Sequence, residues 1–134
     1  MTQKIQGEDA VHALYQRLDP NQAIACTNTI IRPGGLTEEP PLGPTGLELN
    51  QGDTKSGRIS RTDVAALCVQ AMLFPQYTSR ATFECYNADT GKPLTSVGLS
   101  NLFKAKSDGN EFVSGRERRG SQWESLLKGL EQDS

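Results

Sequence analysis

The chain has 134 residues, 35% of them hydrophobic and 6% aromatic, with 13 Gly, 7 Pro and a formal net charge of −2. That length suits one domain with a thin core, and the charge balance excludes a global field drawing the protein onto nucleic acid or an anionic membrane. One histidine and three cysteines (Cys26, Cys68, Cys85) exclude the usual Cys/His zinc spacing and a disulfide frame, and the thiols read as reduced core groups in a reducing compartment.

No apolar run approaches the ~20 residues of a membrane-spanning helix. The opening stretch MTQKIQGEDAVHALYQRL carries Glu8 and Asp9 in place of the apolar core of a signal peptide. Ala10, Val11, Leu14, Tyr15 and Leu18 share one side of a helical period, which predicts a helix over roughly 3–18 that Pro20 ends. His12 follows Glu8 by one helical turn and reads as a helix-surface ion pair before a proton relay.

From Ile24 to Arg32 the residues are short or β-branched, and Ile30 beside Ile31 suits a parallel strand covered on both faces. Residues 33–57 are interrupted by Pro33, Pro40, Pro41 and Pro44 and by glycines from Gly34 to Gly57, which predicts a long loop with a short strand at Leu47–Asn50. In SRTDVAALCVQAML, Ser60 can cap the first free amides of a helix while Asp63 favours its positive end. Gln70 alone is polar from Val64 to Leu73, which predicts a helix covered nearly all round with Cys68 inside.

ATFECYN, residues 81–87, alternates and reads as a second strand, ended by Asn87, Asp89, Gly91 and Pro93. RERR, residues 116–119, is interrupted by Glu117 and reads as a solvated face or a helix end. In SQWESLLKGL, Ser121 and Glu124 have the spacing of a capping box. Trp123, Leu126, Leu127 and Leu130 form the stripe of a docking helix anchored by Trp123.

The order helix, strand, long loop, helix, strand, helix predicts an α/β fold. It is the pattern of the distal half of a Rossmann-like doubly wound parallel sheet, with a long Pro/Gly loop and a C-terminal amphipathic helix. Such sheets gather ligands outside the carboxyl ends of their strands. The strand at 24–32 delivers Pro33-Gly34-Gly35 to that edge, where two glycines allow close backbone approach and leave amides free for a polar ligand. The plainer reading of the same residues is a sharp strand exit without a ligand.

Lys4-x-x-x-Glu8, TIIRPGGL at 29–36, GRISRTDVAALCVQAM at 57–72 and TFECYN at 82–87 lie in this order over residues 4–87. Together they resemble the second half of an atypical short-chain dehydrogenase/reductase, of the NmrA-like or complex-I-subunit-like Rossmann branch. The resemblance implies a partial NAD(P)-binding domain at 1–95 and a helical extension at 96–134. It implies NAD or NADP as cofactor, NADP preferred, with Arg32, Pro33, Gly34, Gly35 and Leu36 on the nicotinamide side. Lys4 aligns with the lysine of the family's Tyr-x-x-x-Lys pair, which holds the ribose hydroxyls and lowers the tyrosine pKa; taken alone, it reads as a solvated helix lysine.

The chain departs from the family pattern in three places. The tyrosine position falls ahead of Met1, no G-x-G-x-x-G occurs, and QRLDPNQAIACTN is longer than the family's helix-to-strand turn. The expectation is therefore a chain carrying the nicotinamide-side and substrate-side half of the site, inactive alone. The implied partners are a dinucleotide and a small-molecule substrate, without metal, in cytoplasm or plastid, with self-association through unpaired strand edges. The competing readings are a non-catalytic nucleotide-sensing or assembly scaffold and a fragment without independent function.

Overall fold

The computed structural model describes residues 2–16, 27–94 and 115–133. In chain order the elements are α1 (Thr2–Gln16), β1 (Thr29–Pro33), β2 (Gly35–Thr37), β3 (Leu47–Asn50), β4 (Lys55–Ser56), β5 (Arg58–Ser60), α2 (Arg61–Leu73), α3 (Pro75–Thr78), β6 (Ala81–Asn87), β7 (Lys92–Pro93) and α4 (Trp123–Leu127). The architecture is mixed α/β with parallel strand pairing, consistent with a partial Rossmann-like fold. The expected strand over 24–32 begins at Thr29, its first residues lying outside those described, as do Arg17 and Leu18 of the first helix.

The main sheet has the order β1-β6-β3. β1 runs parallel to β6, with Ile31 opposite Phe83 and Arg32 opposite Glu84. β3 runs antiparallel to β6, with Leu49 opposite Cys85 and Glu48 opposite Tyr86. The short strand expected at Leu47–Asn50 is therefore present, and it makes the sheet mixed.

Because strand side chains alternate between faces, these registers give the sheet two unlike sides. Leu47, Leu49, Phe83 and Cys85 join Ile59, Leu67, Leu126 and Leu127 in one buried cluster, with Ile31, Val64, Trp123 and Leu130 packed against it. Arg32, Glu84, Tyr86, Glu48 and Asn50 occupy the other side. The double apolar covering expected for β1 is not found, since its neighbour β6 presents Glu84 and Tyr86 to that second face.

The stretch 33–57 is organised rather than a plain loop. β2 pairs with β5 in parallel, Leu36 opposite Ile59, while β4 pairs antiparallel with β7. A 3-10 turn at Pro44–Gly46 leads into β3.

α2 starts at the expected cap, the Asp63 amide donating to the Ser60 hydroxyl at 3.0 Å. Its burial differs from expectation: Leu67 and Ala71 are buried, but Val69, Met72 and Leu73 are exposed, as is Cys68. The sheet covers one side of this helix only, so uniform apolarity in its sequence does not report uniform packing.

The C-terminal helix docks through Leu126 and Leu127, both 0% exposed. Its cap is one residue later than the spacing of Ser121 and Glu124 suggests, with the Gln122 amide donating to Ser125 Oγ at 3.0 Å. RERR is solvent-exposed at Arg116 and Arg119, yet it also binds the body of the protein. Arg118 exchanges two backbone hydrogen bonds with Leu49, extending the pairing beyond β3, and Arg119 Nε reaches the buried Glu48 carboxylate at 2.8 Å.

Truncating Leu126 to Ala removes a fully buried side chain from the shared cluster and should cost about 2–5 kcal/mol. A chemical-denaturation midpoint matching wild type would show that α4 is not part of the cooperative unit.

Candidate functional site

The expected site lies where β1 ends. Pro33 is the last strand residue, opposite Cys85, and the next amide, that of Gly34, donates to the Cys85 carbonyl at 3.0 Å. The chain then leaves the main sheet, and the Gly35 amide donates to the Gly57 carbonyl at 2.9 Å, opening the β2–β5 pair. Pro33-Gly34 is thus the junction of two small sheets.

Gly34 is required by close backbone approach, though not to a ligand. A Cβ there would collide with the carbonyl group of Gly57, and a Cβ on Gly57 would in turn collide with Thr90. Thr90 ties the stack together: its hydroxyl accepts from the Arg58 amide at 2.9 Å and contacts the Asn87 carbonyl at 2.8 Å. The amides expected to be free are both engaged within the protein, because the strand-to-strand transfer uses them.

What the tip offers outward is side chains. Gly35 is exposed, Leu36 is 49% exposed and Leu42, from the following loop, 47%. The Thr37 hydroxyl and the Asn87 side-chain carbonyl, at the carboxyl end of β6, are by contrast buried, with no hydrogen-bond partner among the described residues. Asn87 read in sequence as a strand terminator and Thr37 as a loop residue; nothing in their local pattern marks them as uncommitted polar groups.

Asp63 holds the loop that carries Leu42. Its carboxylate, 1% exposed, accepts from the amides of Leu42 at 2.9 Å and Gly43 at 3.1 Å and from the Ser60 hydroxyl at 3.0 Å. The capping role of Asp63 was legible, but its long-range role was not. This carboxylate also supplies the negative charge that a helix N-terminus favours, so the start of α2 is already satisfied.

Arg32 points to the polar face of the sheet. Its guanidinium makes a two-pronged pair with Glu8 of α1, Nε donating to Oε1 at 2.9 Å and Nη2 to Oε2. Those hydrogen bonds, opposed by partial burial, hold Arg32 still more firmly protonated than usual. Glu8 is thus engaged outside its own helix, and so is His12, whose Nε2 lies 3.3 Å from Asp133. Lys4 belongs to α1, and its side chain lies outside the described residues.

Other reactive groups lie away from the tip. Burial, first, pushes the Cys85 thiol up to about 12, which removes it as a nucleophile. Burial and then the Glu48 hydrogen bond raise the Tyr86 hydroxyl, whose proton is held by that carboxylate. Glu48 also accepts from Lys55 at 3.3 Å, so this buried cluster is paired internally. Among the described residues no His/Cys/Asp/Glu group could hold a metal ion, and no helix is long and apolar enough to cross a membrane.

Residues 21–75 match the model of a family described as NAD(P)H-binding. No curated protein and no solved structure matches the chain. The matched segment contains β1, the Pro-Gly-Gly junction, the β2–β5 pair and α2, so the likeness to NAD(P)-binding Rossmann-like domains falls on the edge just described. It supports NAD or NADP as the ligand class.

Two substitutions separate packing from solvent exposure at the tip. Gly34→Ala should cost about 1–3 kcal/mol or more through overpacking against Gly57, whereas a Cβ on Gly35 makes only ordinary contacts, with the Arg58 side chain at 3.5 Å and the Gly57 carbonyl at 3.8 Å. Thermal unfolding should rank Gly35→Ala near wild type and Gly34→Ala well below; equal melting would contradict the crossing. Asp63→Ala strands two loop amides and should cost about 1–3 kcal/mol for each group left buried and unpaired. Hydrogen exchange at Leu42 and Gly43 should accelerate in that variant.

Proposed function

We propose that the chain contributes the nicotinamide-side and substrate-side part of an NAD(P)-dependent oxidoreductase site of the short-chain dehydrogenase/reductase type. The observation that carries this reading is the coincidence of the NAD(P)H-binding match with the exposed Gly35–Leu36 end of the β1 junction. When bound, the nicotinamide supplies a hydride to, or takes one from, a carbonyl or alkene substrate. Leu36 and Leu42 give that ring an apolar lip. Pro33 and Gly34 set the position of the lip, Arg32 braces α1 behind it, and Lys4 on α1 takes the ribose hydroxyls. The resemblance favours NADP over NAD.

The residues fit the nicotinamide end better than the phosphates. No G-x-G-x-x-G is present in the 134 residues, and Asp63 already occupies the start of α2. The same observations favour a second reading, a non-catalytic nucleotide-sensing or assembly scaffold on this fold, because the junction amides serve the sheet and not a ligand.

An NMR titration of the chain with reduced nicotinamide mononucleotide tests the site. Saturable shifts at Gly35–Thr37, Leu42 and Gly43 are expected at millimolar concentration, and Leu36→Glu should abolish them. No response up to about 10 mM, corresponding to under ~3 kcal/mol of binding, would remove the nicotinamide reading. For NADPH, millimolar or weaker affinity is expected in this chain, and micromolar binding would contradict the absence of a phosphate turn.

A further inference from the structure

α1 is attached to the body in an unusual way. Among the described side chains of α1 none belongs to the buried cluster or packs against it, and Val11 and Leu14 are 41% and 61% exposed. Val11 and Leu14 of its apolar stripe, which would normally fasten such a helix, face solvent instead. Two polar attachments join it to the body, Glu8 to Arg32 and His12 to Asp133.

The Arg32 pair has a competitor. Glu84, opposite Arg32 in the sheet register, is 4% exposed. Its Oε1 accepts from the Asp53 amide at 2.8 Å and from Asn50 Nδ2 at 3.2 Å. Its Oε2 is buried without a hydrogen-bond partner among the described residues and lies 4.0 Å from Arg32 Nη1. A buried carboxylate oxygen left unpaired beside a guanidinium that faces another carboxylate is a costly arrangement with an evident relief. If Glu8 withdraws, Arg32 is free to turn its donors onto Glu84.

We propose that α1 is a releasable strap, its docking set by competition between Glu8 and Glu84 for the guanidinium of Arg32. With α1 docked, Arg32 is committed to Glu8 and reaches Glu84 only through Nη1, 4.0 Å from Oε2. With α1 released, Arg32 pairs with Glu84 and stabilises it as a carboxylate. Release is therefore coupled to loss of a proton from Glu84, and rising pH favours it.

The charged surroundings agree with that direction. Burial, the largest cause, pushes Glu84 up to about 7 in the docked state; the Asp53 amide opposes, the Asp53 charge adds, and Arg32 and Arg116 lower it only in part. Since the docked-state value lies above the ordinary carboxylate range, the docking contribution is fully present below that range and is lost as pH rises through about 7. His12 and Asp133 form a second polar attachment, whose effect must be separated from that of Glu84 in any test.

Hydrogen exchange of the α1 amides, corrected for intrinsic rates and followed from about pH 5.5 to about pH 8.5, reads strap opening directly. Wild-type protection should fall at least about tenfold across that range, the equivalent of one pKa unit. Glu84→Gln keeps an acceptor for the Asp53 amide and should make α1 protection independent of pH. Glu8→Gln should lower α1 protection at every pH, with α2 and β6 unchanged as the check on folding. A Glu84→Gln chain that retains the wild-type profile, a His12→Gln chain that alone loses it, or a Glu8→Gln chain protected like wild type would each overturn the proposal.

Discussion

The crossing of the Gly34 backbone over Gly57 is the constraint on which the rest of the structure depends. It lets β1 hand the chain from the main sheet to the β2–β5 pair within a single residue. Only hydrogen in place of a side chain allows the approach at either glycine. The Gly34 amide closes the ladder to Cys85 and the Gly35 amide opens the one to Gly57, so the junction is satisfied from within. What this edge presents to solvent is therefore the side chains of Leu36 and Leu42, rather than a nest of free amides. Asp63 secures the same edge from the other side by tying the Leu42–Gly43 backbone to the start of α2.

The sheet's two faces divide the work. The apolar face, covered by α2 and α4, supplies the cohesion through side chains such as Phe83, Leu49 and Leu126 that are wholly removed from water. The polar face carries two ionic groups instead. In one, Glu48 collects Tyr86, Lys55 and Arg119 and binds the C-terminal segment to β3. In the other, Arg32 is shared unequally between Glu8 and Glu84. The first is paired throughout, as a buried network must be to avoid a large desolvation cost. The second has an oxygen left over. That difference is why one is structural glue and the other a point where the structure can change.

Several elements were legible from local pattern alone. Ser60 and Asp63 announce the start of α2, the alternation of ATFECYN announces β6, and the β-branched run into Pro33 announces the end of β1. Each is a signal contained within one helical turn or one strand. The resemblance carried by TIIRPGGL and ISRTDVA pointed to the same segment that the NAD(P)H-binding match covers. Misreadings arose where a residue's environment comes from far along the chain. The apolar length of α2 does not say that only one side meets the sheet, and RERR does not say that Arg118 pairs with Leu49 and Arg119 with Glu48. Glu8 and His12 are one turn apart, yet each finds a partner outside the helix.

By itself, then, the sequence determined the α/β class, the places where the chain must turn and the one edge where a nucleotide is expected, because periodicity, caps, prolines and glycines act on neighbouring residues. Tertiary structure alone decided which amides remain available, which face of each element is wet and which carboxylate holds Arg32. Those outcomes depend on register and desolvation between segments tens of residues apart, and no local pattern encodes them.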